Sequence, residues 1–268
     1  MSAFLNSQEL YAEQAQFPGP LVIDVRREAV YLEAADGLPG AIRRDPALVA
    51  DWAQGLEIGR RVVVACVHGH EVGQGACAAL IAQGFDARYL EGGVEGWREA
   101  DLPMAAKPKT PTLWVTRERP KIDRIACPWL IRRFIDPDAQ FLYVPAGDVA
   151  RTAKETGAIP YDVPGVEFSH VGDLCSFDAF VKRYKLADPA LKGLAEIVRG
   201  ADTSQLGLTP QSSGLFAISL GLSHLFADDH RMLKHGLVMY DALYAWVRSL
   251  QEESHNWPPA MPQTGVAA

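Results

Sequence analysis

Three short apolar runs lie in the first hundred residues, and they restrict the possible fold more than any other feature of the sequence. They cover residues 21–25, 61–65 and 87–90. Runs of this length are typical of strands buried on both faces of a parallel sheet. A helical pattern from Val72 to a stop at Gly84 lies between the second and third runs, as expected for a parallel crossover. The sequence therefore predicts an α/β domain with a parallel sheet flanked by helices.

A proline-rich stretch predicts where this domain ends. Residues 103–111 contain three prolines and little apolar content, a composition typical of an extended linker. We therefore predict a first domain at 1–104, a linker at 105–111, a second domain at 112–255 and a flexible tail at 256–268. The second domain is predicted to be mainly helical with some strand (α+β). Its predicted helices cover 125–135, 178–184, 190–199, 215–226 and 229–250, and its predicted strands cover 140–144 and 166–168.

Composition excludes several classes of protein. Of the 268 residues, 48% are hydrophobic and 22% are charged, which is ordinary for a globular chain. The net charge of −7 argues against a nucleic-acid partner, because a protein that binds nucleic acid needs a basic face. We find no apolar stretch long enough for a membrane span and no secretory signal. Because four cysteines without a signal do not form a secreted disulfide framework, we expect a reducing, cytoplasmic location.

Cys66 is the residue with the clearest predicted chemistry. It ends the 61–65 strand, and a loop and a helix follow it. In parallel sheets, ligands bind at the carboxyl ends of strands, where loop amides and a helix N-terminus stabilise a thiolate or an anion. The residues alone leave open whether Cys66 is a nucleophile or an inert buried thiol. Cys77, in a helix among alanines, is predicted to lie in the core.

The first domain resembles the rhodanese family. The resemblance covers about residues 5–104 and rests on four segments in order: 23–26 (Ile-Asp-Val-Arg), 39–41 (Pro-Gly-Ala), Cys66 with Gly69, and 89–97 (Tyr-Leu-Glu-Gly-Gly-Val-Glu-Gly-Trp). It implies that Cys66 accepts a sulfane sulfur as a persulfide without a cofactor. It also implies that Asp24 and Arg26 support the loop or the site entrance. The implied active-site loop consists of Val67, His68, Gly69, His70, Glu71 and Val72.

One residue departs from the rhodanese pattern. Rhodaneses usually carry arginine at the position of Glu71, where it helps to hold an anionic donor such as thiosulfate. An acidic residue there predicts weak thiosulfate activity. The expected partners are therefore a small-molecule or protein donor of sulfane sulfur and a thiol acceptor.

Polar residues of the second domain suggest a metal site. Glu167, His170 and Cys175 lie within nine residues, and with Asp202 they form our predicted ligand set for a divalent ion, Zn, Mn or Fe. The alternative is that His170 is a hydrogen-bonded structural residue. Asp123 is predicted to cap a helix, and Pro128 to lie in that helix's first turn. Arg124, Arg132 and Arg133 are predicted to form a solvated face.

The second domain resembles the C-terminal domain of the chromate-resistance (ChrB-type) family. The resemblance covers about residues 112–250 and rests on segments 121–134, 167–177, 195–202 and 240–246. We therefore predict a sulfurtransferase that forms a persulfide on Cys66, fused to a chromate-resistance-associated domain and acting in oxyanion or thiol stress. Two alternatives stay open. One is a metal- or oxyanion-binding sensor with a catalytically weak rhodanese-like module, and the other is a C-terminal metalloenzyme.

Overall fold

Short strands and helices alternate through the first part of the chain in the computed structural model, which describes residues 3–14, 16, 19–56, 58–106, 112–249 and 251. The strands are β1 (Phe4–Leu5), β2 (Leu21–Asp24), β3 (Asp36–Gly37), β4 (Ile42–Arg43), β5 (Val62–Ala65), β6 (Ala87–Leu90) and β7 (Ala105–Ala106). The helices are α1 (Ser7–Glu13), α2 (Glu28–Glu33), α3 (Val49–Trp52), α4 (Glu71–Ala82) and α5 (Gly93–Glu99). Single 3-10 turns span Pro46–Leu48 and Ala53–Gly55.

Five of these strands form one parallel sheet in the order β1-β6-β5-β2-β4. In the register of the sheet, Val62 of β5 lies between Leu21 of β2 and Ala87 of β6. All four residues of β5 are fully buried, because separate apolar clusters cover the two faces of the sheet. The predicted α/β class and the three predicted strands are confirmed.

The second part of the chain is mainly helical. Its strands are β8 (Leu113–Arg117), β9 (Gln140–Val144) and β10 (Ile159–Pro160). Its helices are α6 (Asp123–Leu130), α7 (Val149–Thr156), α8 (Ser176–Arg183), α9 (Pro189–Asp202), α10 (Pro210–Leu225) and α11 (Asp229–Ser249). A π-helical turn, Ile131–Ile135, continues α6, and a 3-10 turn spans Ala146–Asp148.

A small parallel sheet in the order β10-β8-β9 packs against these helices, which confirms the predicted mainly helical α+β class. Two local predictions are wrong. Residues 166–168 form no strand, and only Phe168 makes an isolated bridge to Tyr161. Pro128 lies in the interior of α6, because the helix begins at Asp123, earlier than the apolar pattern indicated.

The two parts of the chain are in direct contact. The Tyr11 hydroxyl donates to Asp188 at 3.1 Å, and the Arg248 guanidinium lies 3.6 Å from the centre of the Tyr11 ring. The first two residues of the predicted linker belong to the folded first part of the chain, because they form β7, which pairs antiparallel with β3. Residues 107–111 of the linker and the whole predicted tail lie outside the described residues, so the domain boundaries stay predictions. Within the described part of the chain, no helix has the length and apolar character needed to cross a bilayer.

Candidate functional site

Cys66 lies at the carboxyl end of β5, the middle strand of the five-stranded sheet. The chain turns there through residues 66–70 and enters α4 at Glu71. The Cys66 side chain is only 5% exposed, and its Sγ lies against the first turn of α4. A Cβ atom added to Gly73 would lie 3.1 Å from that Sγ, so glycine leaves the sulfur room beside the helix. The amides at a helix N-terminus carry partial positive charge, which favours a thiolate there.

The N-terminus of α5 holds the loop in place. The Val94 amide donates to the Cys66 carbonyl at 2.9 Å, and the Glu95 amide donates to the Val67 carbonyl at 3.0 Å. Because the C=O and N–H of a trans peptide point in opposite directions, the Val67 and His68 amides point away from α5. These two N–H groups therefore do not bond to α5 and can donate hydrogen bonds to an anion held in the loop.

Gly93 makes this close approach possible. Its φ is +62°, in the region that favours glycine. A Cβ atom at this position would lie 2.4 Å from the Cys66 carbonyl oxygen and 2.5 Å from that of Val67. The glycine-rich end of the rhodanese-like pattern therefore has a steric function, which is to let α5 approach the Cys66 loop.

The rest of the loop forms the rim of the site. His68, His70 and Glu71 are exposed, and the two imidazole rings lie 5.9 Å apart. Val67 and Val72 are half-buried, and Gly69 is buried with φ +72°. The rim therefore carries two ionisable imidazoles and one carboxylate.

Asp24 and Arg26 form a buried ion pair at the carboxyl end of β2, the strand beside β5. The Arg26 Nη2 atom lies 2.6 Å from Asp24 Oδ2, and both side chains are 3% exposed. Asp24 is the β2 residue that pairs with Ala65, the residue before Cys66. Arg26 also donates to the Asp36 carbonyl at 3.3 Å, which ties β2 to β3. The pair therefore lies beside the strand that leads to Cys66, and its supporting role stays a prediction.

A second group of ionisable side chains meets in the helical part of the chain. His170 Nε2 lies 3.0 Å from Asp202 Oδ2, 3.5 Å from Asp162 Oδ1 and 3.6 Å from Asp123 Oδ2. Asp123 is the first residue of α6 and Asp202 the last of α9, while Asp162 follows β10 and His170 lies in the loop before α8. We call these four residues the Asp–His cluster.

Hydrogen bonds fix the carboxylates of the Asp–His cluster. The Ser176 amide donates to Asp123 Oδ2 at 2.6 Å, and the Ser176 hydroxyl donates to Asp162 Oδ1 at 2.9 Å. Arg117 and Arg124 lie 2.9 Å and 3.3 Å from the other oxygen, Asp162 Oδ2. The remaining oxygen, Asp123 Oδ1, is buried and accepts no hydrogen bond from any residue that the structure describes.

Burial and mutual repulsion dominate the electrostatics of the cluster. Burial raises the pKa of Asp123 well above its usual value, and the neighbouring charges of Asp202 and Asp162 raise it further. Burial, followed by the charge of Asp162, also raises the pKa of Asp202. Three carboxylates held this close repel one another, and Arg117 and Arg124 both contact only the Asp162 carboxylate.

Comparison with known proteins identifies both parts of the chain. Residues 7–100 match the rhodanese-like domain, and residues 114–247, half of the chain, match the ChrB C-terminal domain. Thiosulfate sulfurtransferase GlpE of Pseudomonas fluorescens is 35% identical over 99 residues, which cover 37% of this chain and 88% of GlpE. Protein ChrB of Cupriavidus metallidurans is 35% identical over 133 residues, which cover 49% of this chain and 39% of ChrB.

This chain belongs to the rhodanese-like and ChrB C-terminal domain families. GlpE of Pseudomonas putida is similar over a shorter range, with 37% identity over 81 residues that cover 30% of this chain and 71% of that protein. The chain therefore spans most of GlpE but well under half of ChrB. The family assignments confirm both resemblances that the sequence suggested.

Within the ChrB C-terminal domain, the structure brings together only part of the predicted metal set. His170 and Asp202 meet, but Glu167 does not join them, because its 62% exposed side chain pairs with Arg183 at 2.7 Å. Cys175 is buried beside the Asp–His cluster, and its Sγ lies 3.4 Å from Asp178 Oδ2. Burial, followed by the charge of Asp123, raises the pKa of the Cys175 thiol. The structure therefore places Glu167 outside the cluster, whereas the Cys175 thiol contacts Asp178 and also lies close enough to Asp123 to stabilise its carboxylate.

Sequence reasoning missed two members of the cluster. Asp123 was expected to cap α6, but its carboxylate accepts the amide of Ser176, which begins α8. Asp162 was not singled out. Asp123 follows β8 and Asp162 follows β10, and ligand sites form at the carboxyl ends of such parallel strands. That signal was lost because β8 and β10 were not predicted. The residues Ile122 (φ +35°) and Asp162 (φ +51°) also adopt a backbone conformation that is rare outside glycine.

The arginines predicted to form a solvated face are largely buried. The Arg124 side chain is 16% exposed and pairs with Asp162. Arg133 is 17% exposed, lies 3.7 Å from Asp241 and also donates to the Gln14 carbonyl of the rhodanese-like domain. The apolar pattern of α6 could not reveal this, because neighbouring helices and the other domain cover these side chains.

Proposed function

We propose that this chain is a sulfurtransferase that carries sulfane sulfur as a persulfide on Cys66. The proposal rests on the position of Cys66, which lies at the end of β5 against the first turn of α4. The amides of α5 hold the loop that follows it. Similarity to GlpE, a thiosulfate sulfurtransferase, supports the same class of reaction. The loop amides of Val67 and His68 and the N-terminus of α4 would stabilise the anionic persulfide.

The reaction proceeds in two displacements. The Cys66 thiolate attacks the outer sulfur of a donor, R–S–SH, and the donor's S–S bond breaks as R–S⁻ leaves with the electron pair. The product is Cys66–S–SH. An acceptor thiolate then attacks the outer sulfur, and Cys66 leaves as a thiolate, which regenerates the starting enzyme.

Glu71 favours a donor with less negative charge than thiosulfate. Its carboxylate is exposed in the first turn of α4, at the rim of the loop. A negative charge there repels an approaching dianion. We propose that the donor is a low-molecular-weight or protein persulfide, and that thiosulfate supports only weak turnover.

Intact-protein mass spectrometry tests this proposal. The full chain is exposed separately to glutathione persulfide, 3-mercaptopyruvate and thiosulfate, and is then digested to locate the adduct. The expected result is the added mass of one sulfur atom on Cys66, with the highest occupancy for the persulfide donor. Cys66→Ser should abolish the adduct, and Cys77→Ser is the matched control because Cys77 is buried in the core. A sulfur adduct that persists in Cys66→Ser would refute the nucleophile, and full occupancy from thiosulfate would refute the donor preference.

The ChrB C-terminal domain suggests a physiological role for this sulfur chemistry. We propose that the two domains act together in oxyanion or thiol stress, as the ChrB resemblance suggests. A strain that lacks this gene and is complemented with wild-type or Cys66→Ser protein tests the role, with growth measured under chromate and under a thiol oxidant. Equal rescue by both proteins would contradict it.

A further inference from the structure

The Asp–His cluster holds more carboxylates than the arginines beside it contact. It holds three carboxylates, but Arg117 and Arg124 both pair with the same oxygen, Asp162 Oδ2. Asp123 is fully buried, and the His170 imidazole, at 3.6 Å, is the one basic side chain that the structure describes within 4 Å of its carboxylate. Its Oδ1 has no hydrogen-bond partner in the described structure. A buried carboxylate oxygen without a donor is destabilising unless a bound cation or another ligand satisfies it.

The spacing of the donor atoms matches a coordination shell. Metal–donor distances of about 2.1 Å place adjacent ligands about 3.0 Å apart in an octahedron and about 3.4 Å apart in a tetrahedron. His170 Nε2 lies 3.0 Å from Asp202 Oδ2, 3.5 Å from Asp162 Oδ1 and 3.6 Å from Asp123 Oδ2, and the unpartnered Asp123 Oδ1 belongs to that same carboxylate. The donor atoms offered by Asp123, Asp162 and His170 all lie within 4.8 Å of one another. One ion can therefore contact these three side chains after small rotations.

Partners outside the shell orient two of the ligands. Ser176 fixes Asp123 through its amide and Asp162 through its hydroxyl. Arg117 and Arg124 hold the far oxygen of Asp162 and leave its near oxygen, Oδ1, directed towards His170. Metal-binding carboxylates in proteins are typically held in this way.

The chemistry of the donors indicates the type of ion. Carboxylate oxygens suit Mg²⁺, Ca²⁺ and Mn²⁺, and an imidazole nitrogen favours first-row transition ions. The combination favours Mn²⁺, Fe²⁺ or Zn²⁺. His170 is 39% exposed whereas the Asp123 side chain is fully buried, so an ion would enter past His170 and keep solvent on that side.

We propose that the ChrB C-terminal domain binds one divalent transition-metal ion between Asp123, Asp162 and His170, with Asp202 as the adjoining carboxylate. This site is separate from Cys66 and does not depend on the sulfurtransferase proposal. The competing possibility is that Arg117, Arg124 and the His170 imidazole already balance the three carboxylates, in which case the cluster binds no metal.

Metal-binding measurements on the full chain distinguish a cluster that binds a metal ion from one that does not. Chelator-treated protein is titrated with MnCl₂, ZnCl₂ and MgCl₂ in separate experiments, with Mn²⁺ followed by electron paramagnetic resonance and retained metal measured after dialysis. We expect one equivalent of Mn²⁺ or Zn²⁺ and weaker binding of Mg²⁺. His170→Ala should lower the affinity at least about tenfold, the range seen for groups that support metal sites. Asp202→Asn should lower it too, and its side chain is partly exposed.

Matched controls remove the same chemical groups elsewhere. Glu167→Gln neutralises an exposed carboxylate three residues from His170, and His224→Ala removes an exposed imidazole. Both should bind like the wild type, as should Cys66→Ser. Circular dichroism checks that each variant is folded. If the wild type retains no stoichiometric Mn²⁺ or Zn²⁺, or if folded His170→Ala and Asp202→Asn both bind like the wild type, the proposal is wrong.

Discussion

Gly93→Ala should disable the Cys66 loop through a single methyl group. The added Cβ would lie 2.4 Å and 2.5 Å from two carbonyl oxygens, whereas ordinary contacts begin at 3.4 Å. The loop and α5 must therefore separate by about 1 Å, since both obstructing atoms belong to the backbone. That movement would break the bonds from Val94 to Cys66 and from Glu95 to Val67, now 2.9 Å and 3.0 Å long.

The size of the effect follows from these contacts. Two lost hydrogen bonds contribute about 1 kcal/mol each, and the left-handed backbone conformation costs alanine about 1–2 kcal/mol. We therefore expect the free energy of unfolding to fall by about 3–4 kcal/mol. Because a displacement of about 1 Å in a reactive group can slow catalysis about a hundredfold, persulfide formation on Cys66 should slow by a similar factor.

Urea unfolding and the rate of sulfur loading measure the two effects. Gly75→Ala is the matched control, because it makes the same chemical change within α4, where a Cβ meets no atom within 4 Å. Alanine there should leave loading unchanged and add up to about 1 kcal/mol of stability. If Gly93→Ala keeps wild-type stability and loading rate, the steric account of the α5 approach is refuted.

Two further predictions concern buried and interdomain charges. Asp24→Asn leaves Arg26 without its carboxylate partner in a site where both side chains are 3% exposed. The free energy of unfolding measured in urea should therefore fall by about 3–5 kcal/mol. Asp138→Asn, which breaks the more exposed pair with Arg44, should change stability by less than about 1 kcal/mol, and equal losses would contradict the burial argument. Burial and the Asp188 carboxylate raise the pKa of Tyr11 from 10.0 to about 12, so the native state holds this proton more tightly than the unfolded state. The resulting stability is present below pH 10 and is lost as the pH rises towards 12. Each pKa unit is worth about 1.4 kcal/mol, but solvent screens this half-buried group. Wild type should therefore lose about 1 kcal/mol more than Tyr11→Phe in alkaline unfolding, and identical pH profiles would count against the contact.

The Cys66 site was largely predictable because its parts are local in sequence. The apolar run at 61–65 places Cys66 at a strand end, and the helix pattern that follows places the loop at a helix N-terminus. The glycine-rich segment 89–97 showed the family, but the sequence did not show that Gly93 packs on the carbonyls of Cys66 and Val67. That contact joins two strand ends that are neighbours only because β5 pairs with β6.

The Asp–His cluster shows what only the tertiary structure decided. Asp123, Asp162, His170 and Asp202 lie on four different segments, and no periodicity in the sequence relates them. Glu167 lies three residues from His170 yet pairs with Arg183 outside the cluster, while Asp202 lies 32 residues away and contacts His170 at 3.0 Å. Sequence patterns determine strands, helices and the residues at their ends, because those depend on local spacing of apolar side chains. The meeting of charged groups depends on how helices pack, and that is set by the whole core.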